Sequence, residues 1–226
     1  MNGIVSIANR TWPEIAALLG PALVQTLQMV GIVFVISLCI GLPLAVIVHN
    51  TSPNGLFPRA AVHRTLSVII NILRSIPFLI LMAAAIPLSR LIMGTALGVA
   101  GAIVPLSLAS IPLFARLIET SLREVQPSLL DAGLAARGTR WQVIRGVQLP
   151  VALPGVVGNV TIATVGIVEF TAVAGAVGAG GIGYLALSYG YSRFDGNMML
   201  TCVVVLVIIA QITQFSGDRL ARALTK

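Results

Sequence analysis

Long apolar stretches separated by short polar ones organise this chain. No Asp, Glu, Lys or Arg lies between Glu14 and Arg59, Arg90 and Arg116, Arg145 and Glu169, Glu169 and Arg193, or Asp195 and Asp218. Each interval has room for the roughly 20 apolar residues that a helix needs to cross the hydrocarbon of a bilayer. The pattern predicts five membrane helices, at about 21–48, 66–88, 95–117, 153–173 and 198–215. The expected fold class is therefore an all-α integral membrane protein. Residues 1–19 form a short leading segment, residues 20–215 the membrane domain with a polar loop at 118–150, and residues 216–226 a tail.

Composition agrees. Of 226 residues, 57% are hydrophobic and 9% charged, and the mean hydropathy is +1.00; a soluble domain carries about a quarter charged residues. The formal charge of +7 arises from 14 Lys+Arg against 7 Asp+Glu. In a soluble chain such a balance suggests nucleic acid, but in a membrane protein basic residues collect on the cytoplasmic side and report orientation. Placing the amino terminus outside puts Arg59, Arg64, Arg123, Arg137, Arg140, Arg145, Arg219, Arg222 and Lys226 inside, and leaves Arg10, Arg90 and Arg193 outside. The expected topology is N-terminus outside and C-terminus inside, with a lipid bilayer and no nucleic acid as partner. The first twenty residues lack the apolar core and small-residue cleavage site of a signal peptide, so the first span is expected to remain in the mature protein.

Catalytic chemistry is not visible. His49 and His63 have no carboxylate or cysteine partner at a useful spacing, and no phosphate-binding loop is present. Cys39 and Cys202 sit in apolar stretches without metal-ligand spacing and read as small buried hydrophobes. No enzyme activity, metal or cofactor is expected. Gly178, Gly180 and Gly183 spell the dinucleotide-binding fingerprint, but the segment joins two spans and lacks the strand, soluble helix and acidic residue that the fingerprint requires. Glycines this dense, Gly181 included, permit irregular backbone, which at membrane depth is tolerated only under cover of protein or beside a water-filled cavity. A pore-edge or gate segment is the reading. There is no internal repeat, so a transport path is expected between two subunits rather than within one chain.

Two ionisable groups fall inside spans, where a charge costs about 3 kcal/mol on insertion scales. Three readings follow: Arg74 and Glu169 pair across the bundle, Glu169 lines a path and meets a substrate ammonium, or Glu169 snorkels to water. Pro43, Pro77, Pro87, Pro105 and Pro112 interrupt spans, and Gly94 with Gly98 makes a small-xxx-small step; ordinary helix packing accounts for these equally well.

The polar loop reads as two short helices. Ser128 is placed to cap the first, with Asp131 closing a capping box, and Gly138 to end it. Trp141 to Leu149 forms the second, and Pro150 redirects the chain. Such a pair suits docking into a groove of another protein; an amphipathic loop lying on the membrane is the plainer alternative.

This loop resembles the coupling loop of ABC-importer permeases, with the pattern Glu-Ala-Ala, three residues, Gly, nine residues, Ile, one residue, Leu-Pro. Registered on Leu149-Pro150, Val147 takes the Ile position and Asp131-Ala132-Gly133 the Glu-Ala-Ala position. The family's glycine falls on Arg137, with Gly138 one place late. The glycine segment, Arg74-Ser75-Ile76-Pro77-Phe78, and Gln214 to Leu220 resemble the methionine branch of these permeases. That resemblance implies a type I, binding-protein-dependent permease fold and a role in methionine transport across the bacterial inner membrane by alternating access. It implies a homodimer, two copies of a cytoplasmic ABC ATPase and an extracytoplasmic methionine-binding protein. Asp131, Ala132, Gly133, Gly138, Leu149 and Pro150 would couple to the ATPase, and Arg74, Pro77, Glu169, Gly178, Gly180, Gly181 and Gly183 would gate or line the path. Another amino acid or a small organic cation is an alternative cargo, and a stand-alone ion-coupled carrier an alternative class.

Overall fold

The computed structural model describes residues 10–225. The first nine residues of the expected leading segment, and Lys226, lie outside the described residues. Among the described residues there is no strand.

Helix α1 runs from Trp12 to Asn50, 39 residues, and so begins well before the expected span. Its start is held by Glu14, whose Oε2 accepts from the Thr11 backbone N–H at 3.0 Å and from the Thr11 hydroxyl at 2.9 Å, one half of a capping box. A helix of this length rises about 58 Å, roughly twice the hydrocarbon thickness.

The expected second span, 66–88, is laid out as separate helices: α2 (Ala60–Ser75), α3 (Phe78–Ala84) and the start of α4 (Ile86–Met93). The α2–α3 pair is bent by 101°. Pro77 causes the break: Ile76 before it is driven out of the helical region to φ −80°, ψ 124°, and the Ser75 hydroxyl bonds back to Asn71 O at 2.7 Å. Among the described residues, four helices are long and apolar enough to cross a membrane, or five if the bent pair forms one span. The Gly94–Gly98 step is corrected. Gly94 (φ 72°) is the left-handed cap that ends α4, and Gly98 (φ 69°) opens α5, so they share no helical face.

Helix α5 (Gly98–Arg123) leads to the loop helices α6 (Pro127–Ala135) and α7 (Arg140–Val143). A π-helical turn, Ile144–Gln148, joins α7 to α8 (Leu149–Gly175). After the glycine segment come α9 (Gly181–Leu185), a second π turn at Ala186–Tyr191, and α10 (Gly196–Leu224).

The chain packs as two compact units. One takes in the described part of Met1–Phe34, with Pro77–Ser107 and Gly166–Ile212. Its core joins Ile15 and Ala22 of α1 to Ile182 and Leu185 of α9 and Met198 and Cys202 of α10. The other comprises Val35–Ile76, Leu108–Val165 and the described part of Thr213–Lys226. There Val48 of α1, Ile70 of α2 and Ala115 of α5 are buried together. Helices approach closely where side chains are absent: a Cβ on Gly41 would lie 2.8 Å from Phe114 Cβ, and one on Gly217 would run into Thr161.

Candidate functional site

The loop between α5 and α8 starts from a pinned helix end. Glu119 is 1% exposed, yet its carboxylate accepts from Arg116 Nη1 at 2.7 Å and Arg123 Nε at 3.1 Å. These charge-assisted bonds compensate for its burial.

None of the residues of α6 is buried. Pro127 occupies its first turn and Gln126 its N-cap position, without a side-chain cap bond. The expected Ser128–Asp131 capping box is therefore not formed, because the helix begins two residues earlier than that cap implies, at a proline suited to the first turn. The box forms instead at α7, where Thr139 Oγ1 accepts from Gln142 N at 3.3 Å and Gln142 Oε1 accepts from Thr139 N at 2.7 Å.

The turn out of α6 carries the loop's geometry. Arg137 N–H donates to Leu134 O at 3.0 Å and Gly138 N–H to Gly133 O at 3.2 Å. These are the two bonds of a Schellman motif, with Arg137 at φ 59° in its left-handed position. Arg137 thus adopts the conformation that glycine favours, and Gly138 does not itself supply the left-handed residue. Gly138 is needed for a different reason: a Cβ there would sit 2.8 Å from Gly133 O. Gly133 in turn lies over the second helix, since a Cβ on it would meet Val143 Cγ2 at 3.1 Å. Gly133, Gly138, Val143 and Val147 form one tight corner, while Asp131 and Ala132 are exposed.

Pro150 does not redirect the chain. Its missing N–H and ring are accommodated by the wider π turn, in which Leu149 N–H reaches Ile144 O, and helical structure continues into α8. Leu149 and Pro150 form the first turn of the membrane helix. Beneath them Gln148, fully buried, accepts from Asn50 Nδ2 at 3.0 Å.

The glycine segment is built by close approach. Gly178, Gly180 and Gly181 have φ of 88°, 81° and 75°. Gly181 N–H donates to Gln25 Oε1 at 2.8 Å and Ile182 N–H to Thr26 Oγ1 at 2.9 Å, so two α1 side chains serve the free donors at the start of α9. Gly98 N–H donates to Gly178 O at 2.9 Å. Gly183 faces the backbone of Ala172 and Gly175 that of Tyr184, each so closely that a Cβ would collide with main-chain atoms.

Arg74 in the last turn of α2, Pro77 at the bend and Glu169 on α8 all have exposed side chains. Residue-by-residue reading missed Gln25, Thr26, Glu119 and the Asn50–Gln148 pair. Of these, the Arg116-x-x-Glu119-x-x-x-Arg123 spacing was the available signal, because i,i+3 and i,i+4 partners share a helix face.

A long-helix membrane fold with an exposed two-helix loop is the class of a transporter membrane subunit. Residues 37–226 match the family model described as "Binding-protein-dependent transport system inner membrane component", and the chain belongs to that family. It is 46% identical over 198 residues to the probable D-methionine transport system permease protein MetI of Vibrio cholerae, covering 88% of each chain. With the D-methionine transport system permease protein MetI of Escherichia coli K12 it shares 42% over 202 residues, 89% of this chain and 93% of the relative. A chain of the MetNI methionine ABC transporter in inward-facing form matches with TM-score 0.93 at 40% identity, covering 96% of this chain and 100% of that one. A chain of an amino acid ABC transporter matches at TM-score 0.75 and 17% identity, a likeness of fold alone.

Proposed function

We propose that this chain is the membrane subunit of an ATP-driven importer that carries methionine, as the D- or L-isomer, across the inner membrane by alternating access. The relatives named as D-methionine permeases, at 46% and 42% identity, support the cargo. The observation that carries the mechanism is α6, a helix with no buried residue, tied by the Gly133–Val143 corner to a helix that continues into the membrane.

Two copies of the chain form the path, two cytoplasmic ATPase subunits drive it, and an extracytoplasmic binding protein delivers methionine. The amino terminus lies outside and the carboxyl terminus inside, in keeping with the basic residues; the bent α2–α3 pair supplies the fifth span of the domain at 20–215. ATP binding closes the ATPase pair. The motion enters through Asp131, Ala132, Gly133 and Gly138 and passes through α7 to Leu149 and Pro150. Arg74, Pro77, Glu169 and the glycines at 178, 180, 181 and 183 act on the path itself. ATP hydrolysis, in the separate subunit, resets the cycle.

Reconstitution with candidate ATPase and binding protein tests the reading: labelled methionine uptake is expected with ATP and absent without it. Uptake that needs neither partner points to an ion-coupled carrier and overturns it. Pairing of the two span charges has its own test. Glu169→Gln and Arg74→Gln are each expected to abolish transport and the double change to restore it; additive losses sink the pairing.

A further inference from the structure

A cleft of about 290 Å³ opens where α1 leaves its apolar stretch and meets the coupling loop. Ile47, Phe57, Trp141 and Ile144 give it apolar walls, Asn50 contributes a polar point, and Arg59 stands at its edge. Trp141 is 60% exposed, with its ring centroid 5.6 Å from that of Phe57. A second cation is close: Arg140 Cζ lies 5.3 Å from the Phe57 ring centroid. Asn50 is 3% exposed and spends its amide N–H on Val46 O and Gln148 Oε1, both at 3.0 Å. Its Oδ1 and the Nε2 of Gln148 are both buried without a hydrogen-bond partner, so the two amides form a sealed polar point behind the cleft wall.

Along α1, Val35, Ile40, Pro43 and Ile47 are exposed, and so is Cys39, which was expected to be buried. Their helical spacing makes a continuous apolar stripe that runs down to the cleft at Ile47. An occupant therefore needs a long apolar tail to follow the stripe and an anionic head to meet two guanidinium groups. Basic pockets between membrane helices bind anionic head groups, and an interfacial tryptophan fits the same depth.

We propose that this cleft is a binding site for an anionic phospholipid. Its acyl chain lies on the α1 stripe and its phosphate between Arg59 and Arg140. Because Trp141 and Arg140 belong to the coupling loop, lipid composition acts on the loop directly. This goes beyond the transport reading and stands whether or not methionine is the cargo.

The test uses the intact chain in lipid nanodiscs, with Trp12→Phe leaving Trp141 as the sole tryptophan. Brominated phosphatidylglycerol and brominated phosphatidylcholine are compared as quenchers of its fluorescence. A basic residue near an anionic head group is worth about fivefold, so phosphatidylglycerol is expected to half-quench at roughly 25-fold lower mole fraction when both arginines are present. Arg59→Gln with Arg140→Gln brings it to the phosphatidylcholine value, whereas Arg222→Gln, elsewhere on the chain, leaves the preference intact. Ile47→Phe, which keeps every charge and narrows the trough, is expected to weaken quenching by both lipids. Equal quenching by the two lipids overturns the proposal, as does a preference that survives loss of both arginines or that disappears with Arg222→Gln. Shielding of Trp141 from both lipids by bound ATPase assigns the cleft to that protein and overturns it too.

Discussion

The two-helix loop between α5 and α8 and the glycine segment are both short, irregular and rich in small residues, yet their turns are held in opposite ways. The loop's own turns are closed locally, since its Schellman turn, its capping box and the Gly133–Val143 contact all join residues no more than ten positions apart, while Trp141 and Arg140 rest on Phe57 and Gln148 bonds Asn50. The glycine segment depends on distant partners, with Gly181 and Ile182 each bonded to α1 side chains 156 positions away. A locally closed structure can remain intact while it is moved as a body. A segment stitched to another helix shifts only when that stitching changes.

The sharpest way to break this contrast is Gly183→Ala. The new methyl would collide with the Ala172 main chain, which cannot swing aside like a side chain. We expect a loss of at least about 3 kcal/mol, at the upper end of overpacking costs, seen as collapse of the monodisperse peak in detergent. Gly146→Ala in the loop, with nothing within 4 Å of the added atom, is the control and should behave as wild type. Next is Gly133→Leu, which should abolish co-purification of the ATPase and transport while leaving the membrane fold, measured by thermal unfolding, unchanged. Normal co-purification and uptake count against the loop as the coupling site.

Thr26→Val keeps the shape but removes the acceptor for Ile182 N–H. A buried donor without a partner costs about 1–3 kcal/mol, to be read as a lower unfolding midpoint with faster amide exchange at Ile182; unchanged exchange would show that the α1 stitch is dispensable. The smallest effect is expected of Arg137→Gly. Relief of the left-handed strain should stabilise the loop by up to about 1 kcal/mol, detectable as slower exchange at Gly138. Faster exchange there would mean that the arginine side chain, not the turn, holds the corner.

What could be read in the sequence follows the same division. The apolar intervals located the long helices, because a bilayer demands a run of fixed length, and the loop's helix pair was legible from its own turn residues. Its details were less so. Ser128 looked like a cap until Pro127 took the first turn, while the Thr139-x-x-Gln142 signature of the real capping box stood nearby. Arg137 gave no warning of a left-handed turn, since only glycine advertises one. Glycine density announced an irregular, covered segment after α8, but nothing in Gln25 or Thr26 says which backbone they serve. Pro77 marked a break between α2 and α3, and its 101° angle depends on packing that composition does not encode.

The π turn at Ile144–Gln148 keeps the loop and the membrane helix in one piece. With helix on both sides of it, no slack tether separates Trp141 from the first turn of α8. Under the coupling proposed above, a displacement of the loop would reach Pro150 through continuous helical backbone, and its timing would be set by whatever grips the loop.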